Sequence, residues 1–132
     1  VKVSHEVSAL RQRFPDLVFE AGCPSRVLLD HVMSKWSPLV LLALAEGGTL
    51  RWSELRRRAE GVSEKMLAQT LRTLVDDGLV AREAHPVVPP HVDYALTPLG
   101  RELTDLLSPL MVWAFDHAGA ILGVEPPPAR RD

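Results

Sequence analysis

Between Ser63 and Asp77 the chain carries side chains suited to reading a nucleic acid. Leu67, Leu71, Leu74 and Val75 stand at i, i+4, i+7 and i+8, the stripe of an amphipathic helix. With that stripe turned inward, a step of about 100° per residue turns Lys65, Met66, Gln69, Arg72 and Thr73 outward. Gln can form paired hydrogen bonds with adenine and Arg with guanine, while Lys and Ser suit phosphate. Ser63 stands where it can cap the helix, and the free N–H groups of a helix start favour an anion. Contacts from the first half of such a helix match docking in the DNA major groove. A solvated amphipathic helix would show the same stripe and is the commoner case. It would not predict the adjoining Arg56-Arg57-Arg58 run or the proline-rich segment that follows.

The elements around this helix are legible from periodicity and breakers. Val3, Val7, Leu10 and Phe14 form one apolar stripe on a short helix that Pro15-Asp16 ends. Residues 16–24 read as a linker with Gly22 and Pro24 as breakers. A second helix is expected from Ser25 to about Ser34, burying Val27, Leu28 and either His31 or Val32. Ser37-Pro38 starts a third, with Ser37 as cap and Pro38 in the first turn, where its missing donor costs nothing. Leu39 to Ala45 is apolar on nearly every side, so this helix is expected to be central, and Gly47-Gly48 stops it. Thr49-Leu50-Arg51 can form a minor strand, and Trp52 to Ala59 a helix with Trp52, Leu55 and Ala59 inward. After the Ser63 helix, Leu79–Glu83 and Val92–Leu96 change to strand period, and the prolines between them predict a projecting loop from His85 to His91. Thr97-Pro98 repeats the cap-plus-proline start of a long helix through Leu99, Leu103, Leu106, Leu107, Leu110, Trp113 and Ala114. Pro109 is expected to kink it, and the tail from Glu125 is expected to lack order. Two helices joined by a Gly-containing turn and followed by a two-stranded ribbon is the order of a winged helix-turn-helix.

Charge is distributed unevenly along the 132 residues, whose formal net charge is −2. Residues 51–72 hold six Arg/Lys against three Asp/Glu, a balance of +3; residues 102–132 hold two against five, a balance of −3. A basic middle is what a phosphate-facing surface needs. Cys23 is the single cysteine, which excludes a disulfide within the chain and fits a reducing compartment. No apolar run approaches the roughly 18 residues of a membrane span, and Val1 to Glu6 lacks the apolar stretch of a secretory signal, so a cytoplasmic location is expected. The five histidines are scattered, apart from His85 and His91 in one loop, and argue against a structural zinc. There is no phosphate-cradling Gly-Lys motif, no nucleophile elbow and no His-Glu-x-x-His pair, so neither an enzyme nor a cofactor is expected.

An ordered set of short segments then narrows the reading: Cys23-Pro24, Lys35-Trp36, Trp52-Ser53-Glu54-Leu55-Arg56-Arg57, Val62-Ser63-Glu64-Lys65-Met66-Leu67, Leu71-Arg72-Thr73-Leu74, Asp77-Gly78-Leu79-Val80, Pro89-Pro90-His91-Val92-Asp93-Tyr94 and Leu96-Thr97-Pro98-Leu99-Gly100. In these the chain resembles the HxlR family of bacterial transcriptional regulators, over about residues 23–115. The resemblance implies homodimers on operator DNA, the Ser63 helix as reader, dimerisation through the terminal helices, and repression as the sign of regulation. It departs from the family at His91, where an Arg or Lys often follows the Pro-Pro pair, and at Met33-Ser34, where a glycine pair usually precedes the Lys-Trp. The wing's grip on phosphate is then weaker, or dependent on pH through His91. Some relatives sense electrophiles through a cysteine at the Cys-Pro site, which makes Cys23 a candidate sensor. The helix start and Arg26 also favour its thiolate, whereas the plain alternative is a small buried hydrophobe.

The expected architecture is mainly α with a small β-wing, a winged helix-turn-helix that dimerises through its N- and C-terminal helices. Residues 1–22 form the N-terminal dimerisation helix and linker, 23–97 the DNA-binding core, 98–124 the C-terminal dimerisation helix and 125–132 a tail. The expected DNA-contacting set is Arg51, Ser53, Arg56, Arg57, Ser63, Lys65, Met66, Gln69, Arg72, Thr73, His85 and His91. The expected dimer contacts are Val3, Val7, Leu10, Phe14, Leu106, Leu110 and Trp113. The partners are double-stranded DNA, a second copy of the chain, and a small-molecule or electrophile effector, with no membrane. The competing function is a winged-helix protein-interaction or small-ligand module without DNA binding, which an acidic or apolar outer face on the Ser63 helix would favour.

Overall fold

Nine elements follow one another in the computed structural model, which describes residues 2–13 and 22–125, with backbone alone for residues 2–5 and 11. They are α1 (Lys2–Arg13), α2 (Pro24–Val32), α3 (Ser37–Gly47), β1 (Thr49–Arg51), α4 (Trp52–Arg58), α5 (Glu64–Asp76), β2 (Val80–His85), β3 (His91–Leu96) and α6 (Pro98–Leu122). The side chain of Val3, the residues Phe14 and Pro15, most of the linker, and the tail beyond Glu125 lie outside the described residues. The fold is the expected one, mainly helical with a small antiparallel sheet in the winged-helix order. Among the described residues, no single helix is long and apolar enough to cross a membrane.

The core gathers around α3. Its Val40, Leu41 and Leu44 are buried together with Leu55 of α4, Leu67, Leu71 and Leu74 of α5, Leu50, Val80, Tyr94 and Leu96 of the sheet, and Leu107 of α6. Each fully buried Leu contributes about 1.5–3 kcal/mol from removing its side chain from water. That explains why a helix apolar on nearly every side sits at the centre. Gly48 ends α3 at φ 77°, its N–H donating to the Leu44 carbonyl at 2.9 Å. Only a residue without Cβ takes that backbone conformation at no cost.

The sheet order is β1-β3-β2, all antiparallel, with Leu50 opposite Tyr94, and β2 against β3 in register from Val80–Leu96 to His85–His91. Leu50, Val80, Tyr94 and Leu96 face the core, so period-two alternation puts Arg51, Glu83, His85, His91 and Asp93 on the outer face. Sequence reasoning ended the strands too early. The prolines all fall within residues 86–90, none in the ladder, so nothing prevents His85 and His91 from pairing as its last rung.

Two further expectations are corrected in the helices. In α2, Val32 is buried while Val27 and Leu28 are exposed, because α2 reaches the body through its C-terminal turn. There His31 Nδ1 lies 2.8 Å from Asp77 Oδ2, and the His31 carbonyl accepts the Ser37 hydroxyl at 2.7 Å. That bond also explains why Ser37 does not cap α3: Trp36 is the N-cap, without a side-chain bond, and the Ser37 hydroxyl is spent on joining α2 to α3. The Thr97 expectation holds and gains a second bond. Thr97 Oγ1 accepts the Gly100 N–H at 3.1 Å and donates to the Gly78 carbonyl at 2.6 Å, tying the start of α6 to the turn that follows α5. Gly100 allows that approach, since a Cβ there would run into the Leu79 carbonyl. α6 continues unbroken past Pro109 to Leu122.

Candidate nucleic-acid interface

The pair α4–α5 is joined by a tight turn in which Val62 N–H donates to the Ala59 carbonyl at 3.1 Å and Gly61 takes φ 92°. Ser63 then caps α5, accepting the Met66 N–H at 3.1 Å. That bond uses an acceptor site on the hydroxyl and leaves its O–H free to donate to a phosphate. Leu67, Leu71 and Leu74 hold α5 against the core, so its outer face is displayed on a rigid support.

Lys65, Met66, Gln69 and Arg72 are exposed on that face, and Thr73 is half-buried. The structure divides four of them between two clefts, while Lys65 lines neither. Arg72 lines a cleft toward the wing with Trp52, Ala68, Asp76, Arg82 and Tyr94. Met66, Gln69 and Thr73 line a second cleft toward α2, with Asp30, His31 and Ser34. Sequence periodicity turned all five outward together but did not resolve this division, because it carries no information on which neighbour flanks each side. Arg82 was missed altogether. It pairs with Tyr94 in the ladder and so projects on the α5 side of the sheet beside Arg72, a consequence of register.

The basic run of α4 is partly engaged. Arg56 Nη1 lies 3.0 Å from Glu64 Oε1, and Arg58 Nη1 lies 3.6 Å from Glu46 Oε1. Exposed pairs of this kind are worth only about 0–1 kcal/mol, so a phosphate can displace Glu64 from Arg56. Arg57 is exposed and makes no ion pair among the described residues, and it shares a shallow groove with Ser53 and Arg56. Arg51 turns toward the sheet, its Nε 3.9 Å from Asp93 Oδ1. His85 and His91 stack on each other with ring centroids 4.7 Å apart, and both Nε2 atoms face Asp93. Sequence reasoning did not single out Asp93. Its signal was the His-x-Asp spacing, which a strand places on one face.

Cys23 is half-buried and is the N-cap residue of α2, its carbonyl accepting the Val27 N–H at 3.1 Å. Away from the α4–α5 pair, Val7 and Leu10 of α1 and Leu106, Leu110, Trp113 and Phe115 of α6 are exposed.

Known proteins share this arrangement. Residues 31–121 match the HxlR-like helix-turn-helix family. The chain is 51% identical over 119 residues to the uncharacterized HTH-type transcriptional regulator YtfH of Escherichia coli (strain K12), covering 90% of this chain and 94% of that one. It is 50% identical to the solved structure of ytfH from Salmonella typhimurium, assigned as a transcriptional regulator, with a TM-score of 0.75 over 80% of this chain and 93% of that one. The redox regulator HypR in its reduced form is 31% identical, with a TM-score of 0.68 over 76% of this chain and 99% of that one. HypR has also been solved oxidised. With the family profile spanning the body of the fold and the helix-turn-helix in place, the chain belongs to the HxlR-like helix-turn-helix family and is a DNA-binding transcriptional regulator.

Proposed function

We propose that the chain acts in the cytoplasm as a homodimeric repressor on a pseudo-palindromic operator. Residues 23–97 bind DNA, residues 1–22 and 98–124 supply the dimer contacts, and residues 125–132 form a tail. The observation that carries the reading is α5: a Ser63-capped helix fastened to the core by three leucines, with Lys65, Gln69 and Arg72 outward. Arg72 and Gln69 reach base edges or adjacent phosphates, Met66 and Thr73 flank them, and Ser63 and Lys65 hold the backbone. Ser53, Arg56 and Arg57 reach the neighbouring phosphates, with Arg51, His85 and His91 on the wing side.

Dimerisation is supported by apolar surface. Phe115 is exposed on the far side of α6 and Val7 and Leu10 on α1, while Leu106, 71% exposed, forms one exposed stripe with Leu110 and Trp113 at i+4 and i+7. A soluble surface rarely leaves so much apolar area in one place unless a partner covers it. A twofold pair would set two α5 helices about one DNA turn apart, roughly 34 Å, or a small multiple of it. Cys23, at the cap of α2, is the proposed site where an electrophile or oxidant acts, by analogy with HypR, which is described as a redox regulator.

The test is selection of bound DNA from a random pool, followed by gel shift with variants. Arg72→Ala is expected to cost about 1–3 kcal/mol and to relax preference at one position in each half-site. Lys65→Ala is expected to weaken all sequences alike and to lower the salt slope by about one charge. Unchanged affinity and salt slope in both variants would remove α5 as the reader.

A further inference from the structure

The outer face of the wing carries a second cluster, apart from α5. His85 and His91 form the last rung of the β2–β3 ladder, and Asp93 lies two residues along β3 on the same face. One donor atom from each, the two imidazole nitrogens and a carboxylate oxygen, lies within 4.8 Å of the others. His85 Nε2 is 2.9 Å from Asp93 Oδ2, and His91 Nε2 is 3.8 Å from the same oxygen. The short contact at His85 is not a hydrogen bond: its Nε2 is buried and has no hydrogen-bond partner, so the approach lacks the geometry of an N–H donating to oxygen. A buried polar atom in that state is destabilising unless something else satisfies it.

We propose that His85, His91 and Asp93 bind a divalent transition-metal cation, zinc(II) foremost, at the loop end of the wing's two strands. A zinc ion about 2.0–2.2 Å from nitrogen and oxygen ligands in a tetrahedron holds its donors roughly 3.3 Å apart; the two histidine–Asp93 separations of 2.9 and 3.8 Å lie on either side of that spacing, and the separation between the stacked imidazoles, within 4.8 Å, closes when their rings tilt toward the ion. Asp93 presents one oxygen to both histidines, and its other oxygen lies in a long ion pair with Arg51 Nε at 3.9 Å. Glu83 Oε1 is 4.0 Å from His85 Nε2 on a freely exposed side chain and can supply a fourth ligand, with water as the alternative. The three side chains are 32%, 23% and 23% exposed, open enough for an ion to enter and shielded enough to hold it. Two imidazoles with one carboxylate select zinc, cobalt(II) or nickel(II) over calcium or magnesium, which take mainly oxygen ligands. The bound ion would fasten the two strands where the loop of residues 86–90 leaves them, stiffening the wing.

The experiment uses the full chain carrying Cys23→Ser, so that the thiol cannot act as a ligand, stripped with a chelator and titrated with cobalt(II) and then zinc(II). The expected result is one ion per chain, a visible cobalt spectrum without thiolate charge transfer, and displacement of cobalt by zinc. His91→Gln and Asp93→Asn, each checked for folding by circular dichroism, are expected to lose at least about tenfold in affinity. His117→Gln is expected to bind unchanged. Zinc should also shift or broaden the imidazole ring-proton signals of His85 and His91 in the parent protein, a readout that needs no wing variant. Absence of binding, affinity retained in both wing variants, or ring signals unmoved by zinc would each overturn the site.

Discussion

Thr97 joins the reading unit to the long C-terminal helix through one hydroxyl, and Thr97→Val removes that link while keeping the shape. Two bonds are lost: the cap on the Gly100 N–H at 3.1 Å and the donation to the Gly78 carbonyl at 2.6 Å. Loss of an N-cap costs about 1 kcal/mol, and loss of a hydrogen bond to a backbone carbonyl about another 1 kcal/mol. The sum, about 2 kcal/mol, corresponds to a fall in Tm of about 6–10 °C for a chain of this size. The assay is thermal and urea unfolding at one fixed protein concentration, because partner binding would make Tm depend on concentration. Thr97→Ser retains both bonds and is expected to recover most of the loss. Thr97→Val is also expected to weaken operator binding more than the fall in folded fraction accounts for, since it loosens α6 from the end of α5. A loss under about 0.5 kcal/mol, or no recovery with serine, would refute the assignment of both bonds to this hydroxyl.

Leu106→Glu places a charge on a side chain that is 71% exposed in the single chain, so it should leave the fold intact and turn the sedimenting species from dimer to monomer. A parent protein that sediments as a monomer at micromolar concentration would remove the dimer itself. Gly100→Ala drives a methyl group toward the Leu79 carbonyl and is expected to cost about 1–3 kcal/mol, read as a lowered urea midpoint; an unchanged midpoint would mean that α6 can slide without penalty. Diamide or a quinone is expected to release the parent protein from DNA and to leave Cys23→Ser bound. Equal release of both proteins, or of neither, would dismiss Cys23 as the switch.

Much of the fold was legible because local rules and burial agree along most of the chain. The stripe Leu67, Leu71, Leu74 and the caps at Ser63 and Thr97 are local patterns, and each forms in the structure as its residues dictate. The apolar run from Leu39 to Ala45 announced a central helix, since a helix without a polar face has nowhere else to go. The outward direction of Lys65, Gln69 and Arg72 followed from the same helical arithmetic. What local pattern could not carry was pairing across long sequence separation. Ser37 looks like a cap until α2 brings the His31 carbonyl within 2.7 Å of its hydroxyl. Val27 and Leu28 look buried until α2 docks chiefly by its last turn, which leaves Val27 exposed and Leu28 lining an open cleft with α6. His85 and His91 look like loop residues until the ladder closes at them and stacks their rings above Asp93. The division of the α5 face between the wing and α2 likewise depends on what lies beside the helix. A helix stripe or a cap is decided within a few residues, by the rise and turn of the backbone itself. A strand register, or the partner of a side chain from another element, is decided only when the whole core closes and burial selects among pairings that each sequence segment alone leaves open.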